Sequence, residues 1–217
     1  MYFRSRSEAG ELLADQLVQY RYEDCAVVAL SASSVAVAEP IAARLHSILG
    51  LFLSEQIKIP GENLNIGSVN QGGGFLYNQS LSEAEASDYY SEYHSYIDDE
   101  KRQKFEQINH LIGEGGVIDP ILLRQHVVIL VSDGLKSGAK LDAAAQFLKP
   151  VLMKRLVVVT PVASVSAVDR MHILADELHC LSVTENYIST SHYYDLDDSL
   201  THEQAVEKIN NIILNWR

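Results

Sequence analysis

The sequence predicts a doubly wound α/β domain on a mainly parallel sheet, and three observations predict it. Val127-Val128-Ile129-Leu130-Val131 and Ala26-Val27-Val28-Ala29-Leu30 are uninterrupted apolar runs, as expected of strands covered on both faces. Each run ends in small or turn-forming residues and then passes into an apolar period of helical spacing. Strand-like and helix-like segments go on alternating along all 217 residues, a length that suits one domain.

Taken in order, residues 7–22 set Ala9, Leu12, Leu13, Leu17 and Tyr20 on one side of a helix, with Ser7 as its cap. The strand at 26–30 runs through Ser31-Ala32-Ser33-Ser34 into a helix at 35–49 whose inward residues are Ile41, Ala42, Leu45, Ile48 and Leu49. Residues 51–59 read as a strand and Pro60-Gly61-Glu62-Asn63 as a turn. Residues 66–78 form a hairpin with Gln71-Gly72-Gly73-Gly74 at its tip. A long polar helix at 82–112 carries Tyr89, Tyr90, Tyr93, Tyr96 and Ile97 as a packing stripe. Gly113-Glu114-Gly115-Gly116 is a hinge or turn, and Asp119-Pro120 leads to the central strand.

Beyond that strand come a helix at 141–152, a strand at 155–160 ending at Pro161, a helix at 164–176 and a short strand at 179–183. Residues 186–194 are extended, and Thr201-His202-Glu203-Gln204 is a capping box opening a helix to residue 216. No internal repeat divides the chain.

Hydrophobic residues make up 47% of the chain, enough for one packed core. Lys and Arg number 17 against 29 Asp and Glu, a net charge of −12, which disfavours general nucleic-acid binding. An anion site must then be local, built from loop amides and a few lysines. Cys25 and Cys180 fit no metal spacing and read as buried thiols of a reducing compartment. Without an 18-residue apolar run or a signal-type core after the first residues, the expected setting is cytoplasmic and off the membrane. No histidine belongs to a His-x-x-x-His pair, so no metal ligand set is expected. Ser33 and Ser34 lack a surrounding Gly-x-Ser-x-Gly, which argues against a hydrolase elbow.

The stretch with most chemical content is Ser132-Asp133-Gly134-Leu135-Lys136-Ser137-Gly138-Ala139-Lys140. A strand, a small-residue loop and a helix start together offer amides and a helix dipole to a phosphate. Lys136 and Lys140 add positive charge there. The plainer reading makes Asp133-Gly134 a turn and Ser137 an N-cap.

These residues also resemble a known loop, that of type I phosphoribosyltransferases. In that family an apolar strand precedes two acids, a few small residues and Thr-Gly-x-Thr. Asp133, Ser137 and Gly138 stand in matching places, while Ser132 replaces the first acid and Lys140 the last Thr. Phe3, Arg6, Ala9-Gly10 and Leu13-Ala14 resemble the start of a bacterial subgroup. Its Val-Ala-Leu-Pro-Arg-Gly-Gly-Val is met by Val28-Ala29-Leu30-Ser31-Ala32-Ser33-Ser34-Val35, and its Arg-Lys-Ile by Glu55-Gln56-Ile57. Pro161-Val162-Ala163, Ala175-Asp176-Glu177, Cys180-Leu181, Tyr193-Tyr194 and Asp197-Asp198 are similar to its tail.

The resemblance implies one domain with a hood over the site at about 66–125, and displacement of pyrophosphate from phosphoribosyl pyrophosphate with Mg²⁺ on the substrate. It implies that Lys136 to Lys140 hold the 5′-phosphate, and that Asp133 serves as catalytic acceptor for a ribose hydroxyl, weakened by Ser132. Ser31, Ala32, Ser33 and Ser34 would be a degenerate pyrophosphate loop, with Lys58 as a partial substitute and Glu55 repelling pyrophosphate.

The leading expectation is a diverged protein with weakened or lost transfer that binds ribose 5-phosphate, a nucleotide or phosphoribosyl pyrophosphate. The alternatives are an active phosphoribosyltransferase acting on a nitrogen nucleophile such as a nucleobase, and a scaffold subunit without ligand. A homo-oligomer is compatible with each.

Overall fold

The computed structural model describes residues 2–62 and 64–216; Asn63, the end of the expected turn at Pro60, lies outside them. A five-stranded parallel sheet runs in the order β2-β1-β6-β7-β8. Its strands are β1 (Cys25–Ala29), β2 (Ile48–Leu51), β6 (Val127–Val131), β7 (Arg155–Ser164) and β8 (Glu177–Thr184). A separate antiparallel sheet joins β3 (Ser54–Lys58), β4 (Asn65–Asn70) and β5 (Phe75–Tyr77). The apolar run at 127–131 is therefore the middle strand of the main sheet, buried at every residue.

Side-chain alternation along the strands divides the core. Val27, Ala29, Ile129, Val131, Val157 and Val159 face α1 (Arg6–Gln16) and α2 (Ala32–Leu45). Val28, Leu130 and Val158 face α4 (Ala139–Leu148) and α5 (Val165–Leu174). Strands flanked on both faces need apolar residues at every position, which is why their sequences do not alternate. The parallel register pairs Ala29 with Val131, so the loops leaving β1 and β6 emerge side by side at the carboxyl edge.

Several boundaries differ from the sequence expectation for local reasons. α1 is capped by Ser5, whose side chain accepts from Glu8 N, and not by Ser7; a 3₁₀ turn at Val18–Tyr22 follows it. α2 stops at Leu45 because His46 takes a left-handed conformation (φ 54°), which frees Ile48 and Leu49 to pair with Ala26 and Val27 in β2. The apolar stretch at 51–59 is not one strand: β2 ends at Leu51, and β3 pairs with β4 in the second sheet. That sheet thus begins at Ser54, ahead of residue 66. β7 continues past Pro161, which drops out of the register between Thr160 and Val162 before the ladder with β8 resumes. α4 ends at Leu148, and a 3₁₀ turn at Thr190–Tyr193 interrupts the expected extended segment. The capping box at Thr201 and Gln204 opens α6 (His202–Asn210), with a 3₁₀ turn at Ile212–Asn215 in place of its last turns.

Helix α3 (Glu83–Glu114) opens with a capping box between Ser82 and Glu85 and departs from helical geometry at Tyr93. Tyr89, Tyr90, Tyr93 and Tyr96 pack on the core, and Ile97 is fully buried. The stripe is therefore a packing face.

α1 and α2 cross closely at Gly10, where a Cβ would lie 2.4 Å from the Val37 carbonyl oxygen. A side chain there must push two helix backbones apart. We expect Gly10→Val to lower unfolding stability by roughly 1–3 kcal/mol, the usual range for overpacking. Urea denaturation checks this, and an unchanged midpoint would mean that the crossing is looser than described.

Candidate functional site

Asp133 follows β6 directly and turns inward. Its Oδ2 accepts from Arg6 Nε at 3.0 Å and its Oδ1 from Ser34 Oγ at 3.0 Å. The Asp133 amide donates back to Ser34 Oγ at 3.2 Å. Arg6 is buried, and its Nη1 also donates to Asp198 Oδ1 at 3.1 Å. The Tyr194 hydroxyl donates to the Asp133 carbonyl at 2.5 Å, and its ring centroid lies 4.6 Å from the Arg6 guanidinium.

Burial works against the Arg6 charge, but the hydrogen bond and attraction of Asp133, then Asp198, outweigh it and raise its pKa. Burial, and next the neighbouring Asp133 charge, pushes Tyr194 far up. Burial likewise pushes Tyr187 up to about 12, so both remain neutral hydroxyls. Tyr187 and Thr190 also cover Gly134, where a Cβ would stand 2.3 Å from the Tyr187 hydroxyl.

The two loops have opposite characters. Ser31 is the N-cap of α2, and its Oγ accepts from the Ser34 amide at 3.2 Å and meets Ser34 Oγ at 2.6 Å. That helix start is satisfied by its own residues. The start of α4 is not: Gly138 is its N-cap, and no side chain among the described residues caps it. Ser137 is exposed and does not act as the expected cap.

Between these loops Ser132 is buried, its Oγ donating to the Gly134 carbonyl and accepting from the Gly134 amide. Leu135 is buried and bridges to Ala163, and the Lys136 carbonyl accepts from Ser164 Oγ at 2.8 Å. The chain then surfaces. Lys136, Ser137, Gly138 and Ala139 line a cleft of about 520 Å³ with Lys58 and Arg170. Lys140, one residue on, faces a neighbouring cleft that also reaches Lys58. Ala32 and Ser33 line neither cleft.

No family model matches the chain. A Mycobacterium tuberculosis protein named "Putative phosphoribosyl transferase", in strains CDC 1551 and H37Rv, is 24% identical over 198 residues. The match takes in 88% of this chain and 43% of that protein, so the chain spans less than half the length of the curated relatives it matches. A crystal structure from Thermus thermophilus superposes with a TM-score of 0.72 at 27% identity, covering 100% of this chain and 99% of the other. A purine phosphoribosyltransferase from Pyrococcus horikoshii is more remote, at 14% identity and a TM-score of 0.45 over 83% of this chain and 84% of its own; at that distance it bears on neither site nor chemistry. Over its whole length the chain is similar in fold to the Thermus thermophilus protein, and over most of it similar in sequence to the mycobacterial proteins.

Among the residues of this site, the Mg²⁺ implied by the resemblance finds a poor donor set. Ser132 supplies no carboxylate, and both Asp133 oxygens are engaged, one by a guanidinium that repels a cation. Among the described residues no group of three or more His, Cys, Asp or Glu could hold a metal ion. The protein groups present do not by themselves fit Mg²⁺, which the resemblance places on the substrate. Cys25 and Cys180 are free thiols whose pKa values burial raises, that of Cys25 to about 11. No helix among the described residues is long and apolar enough to cross a membrane.

Sequence reasoning missed Arg170, whose Nε donates to Asp142 at 2.5 Å against Gly138, and the partners of Asp133. Arg6, Tyr194 and Asp198 did show in the sequence as parts of the family resemblance, without a sign that they converge on one residue. Asp133→Asn should destabilise the chain by about 3 kcal/mol, the low end for removing one partner of a buried ion pair, because Asp198 still holds Arg6. Guanidinium unfolding measures it; a loss under half that size would show that Asp198 alone satisfies Arg6.

Proposed function

We propose that this chain binds a small 5′-phosphorylated ribose ligand and has weakened or lost phosphoribosyl transfer. The observation that carries the reading is the contrast between its two helix starts. The α4 start lacks a side-chain cap and faces a cleft with Lys136, Ser137, Lys58 and the Arg170–Asp142 ion pair; the helix amides and the two lysines favour an anion. The α2 start, where pyrophosphate would be held by resemblance, is closed by Ser31 and bonded through Ser34 to Asp133.

Transfer needs groups that strengthen as charge develops on the ribose and on the leaving pyrophosphate. Asp133 is committed to Arg6 and Ser34, and Tyr187 and Thr190 cover the adjoining Gly134. Reaching the carboxylate would require parting from a buried guanidinium, which opposes its use as a ribose acceptor. Glu55 on β3 adds a negative charge near Lys58. Under this reading β3–β5 and α3 form the hood, and their polar residues Asn65, Asn78 and Gln79 supply the far wall of the phosphate cleft. The name borne by the mycobacterial relatives favours the second reading, an active transferase.

Calorimetric titration with ribose 5-phosphate, a mononucleotide and phosphoribosyl pyrophosphate, each with and without Mg²⁺, separates the two. Ribose 5-phosphate should bind, Mg²⁺ should change little, and Ser137→Ala with Lys136→Ala should weaken binding about tenfold or more, from loss of charge-assisted contacts. Mg²⁺-dependent preference for phosphoribosyl pyrophosphate, or pyrophosphate release with any common nucleobase, would replace the proposal with the active transferase. Unaltered affinity in the double variant would remove the loop from the site.

A further inference from the structure

The phosphate cleft continues past Gln56 and Lys58 into a second cleft of about 470 Å³. Its walls come from three separate elements: Lys58 on β3, Tyr96 and Lys104 on α3, and Lys140 in the first turn of α4. Glu55 and Glu100 also line it. None of Ser31, Ala32, Ser33 and Ser34 does; Lys58 and Glu55, which the resemblance sets beside pyrophosphate, do, while Tyr96, Lys104 and Lys140 lie outside what the resemblance gives to that group.

The lysines distinguish this cleft. The chain has eight, and Lys101, Lys154 and Lys208 pair with carboxylates. Of the five others, Lys58, Lys104, Lys136 and Lys140 line one or both clefts. Lys104 and Lys140 are half-buried, and Lys104 donates to the side chain of Gln107, at 3.4 Å. In a protein of net charge −12, lysines spread over the surface would readily find carboxylates. Instead four of them, without an ion-pair partner among the described residues, are gathered on adjoining hollows whose walls come from the second sheet and three helices. Ammonium groups held this way are point charges suited to phosphate oxygens. A ribose phosphate seated at the α4 start would leave the second cleft unfilled, and the two clefts together reach the size of a nucleotide site.

We propose that the second cleft is an anion subsite of the same site, and that the ligand is a nucleoside carrying two separate phosphate groups. One phosphate meets Ser137 and the α4 start; the other meets Lys104, Lys140 and Lys58. The proposal rests on the phosphate-loop reading above. It adds a recognition role for α3 and a substrate class that the loop alone does not define.

Adenosine 5′-monophosphate and adenosine 3′,5′-bisphosphate, titrated calorimetrically into the full chain at low salt, test it. The bisphosphate should bind about tenfold or more tightly than the monophosphate, a difference of about 1.4 kcal/mol. Lys104→Ala, a substitution that favours helix and leaves the fold intact, should abolish most of that advantage and spare monophosphate affinity. Ser137→Ala should weaken both ligands. Equal affinity of the two ligands for the natural chain, or a Lys104→Ala loss shared equally by both, would overturn the second subsite and leave the loop reading standing. A bisphosphate preference that depends on Lys104 but not on Ser137 would keep the subsite and discard the loop. Binding of neither nucleotide would overturn the proposal, and failure of ribose 5-phosphate to bind under the same conditions would overturn the loop reading as well.

Discussion

The buried pair between Arg6 and Asp133 is the interaction on which the rest of the site depends. It ties the beginning of α1 to the loop leaving the central strand, and Asp198 with Tyr194 brings the C-terminal segment to the same guanidinium. Three stretches far apart in sequence thus meet on one charge. Burying that charge is unfavourable unless its hydrogen-bonding positions are filled, and here Asp133, Asp198 and the Tyr194 ring surround it. Once Asp133 is used in this way, its backbone is held as well, through Tyr194 on its carbonyl and Ser34 on its amide. The loop that follows leaves from a fixed point, which sets where Ser137 and the start of α4 lie.

The same commitment separates the functions of the two loops. A serine at position 34 sends its hydroxyl to Asp133, and Ser31 then caps α2. A glycine-rich loop would have neither hydroxyl and would leave its amides outward. The serines therefore spend these polar groups on the fold itself. At α2 the helix start is closed by its own side chains. At α4 no such capture occurs, because Gly138 carries no side chain and a Cβ there would collide with Arg170.

Much of this was legible in the sequence. The unbroken apolar runs at 26–30 and 127–131 read as strands covered on both sides, and the parallel register places their following loops together. What stayed hidden was anything settled by tertiary contact. The end of α2 turns on a left-handed His46 rather than on a glycine or proline. The stretch at 51–59 divides between two sheets at a point its composition does not mark. Asp133 reads as a ligand acceptor in a loop motif, and only the folded chain shows that Arg6, 127 positions away, has claimed it. Local patterns report periodicity and turns well, but they carry no record of which distant side chain completes a buried charge.

The gathering of lysines follows from a similar competition. In an acidic protein each surface ammonium is drawn toward carboxylates, and Lys101, Lys154 and Lys208 have taken them. Lys58, Lys104, Lys136 and Lys140 are instead attached to β3, α3 and the two sides of the α4 start. Their side chains converge because the second sheet packs beside the start of α4, with α4 in contact with β3, β4 and β5. Glu55 and Glu100 on the same walls offset part of this positive charge, and an anion that bridges the lysines would add to that compensation. The surrounding negative surface confines this attraction to the clefts. Under the proposal, a ligand with charge at two points draws on both ends of that cluster, and a single phosphate on the end beside Ser137 alone.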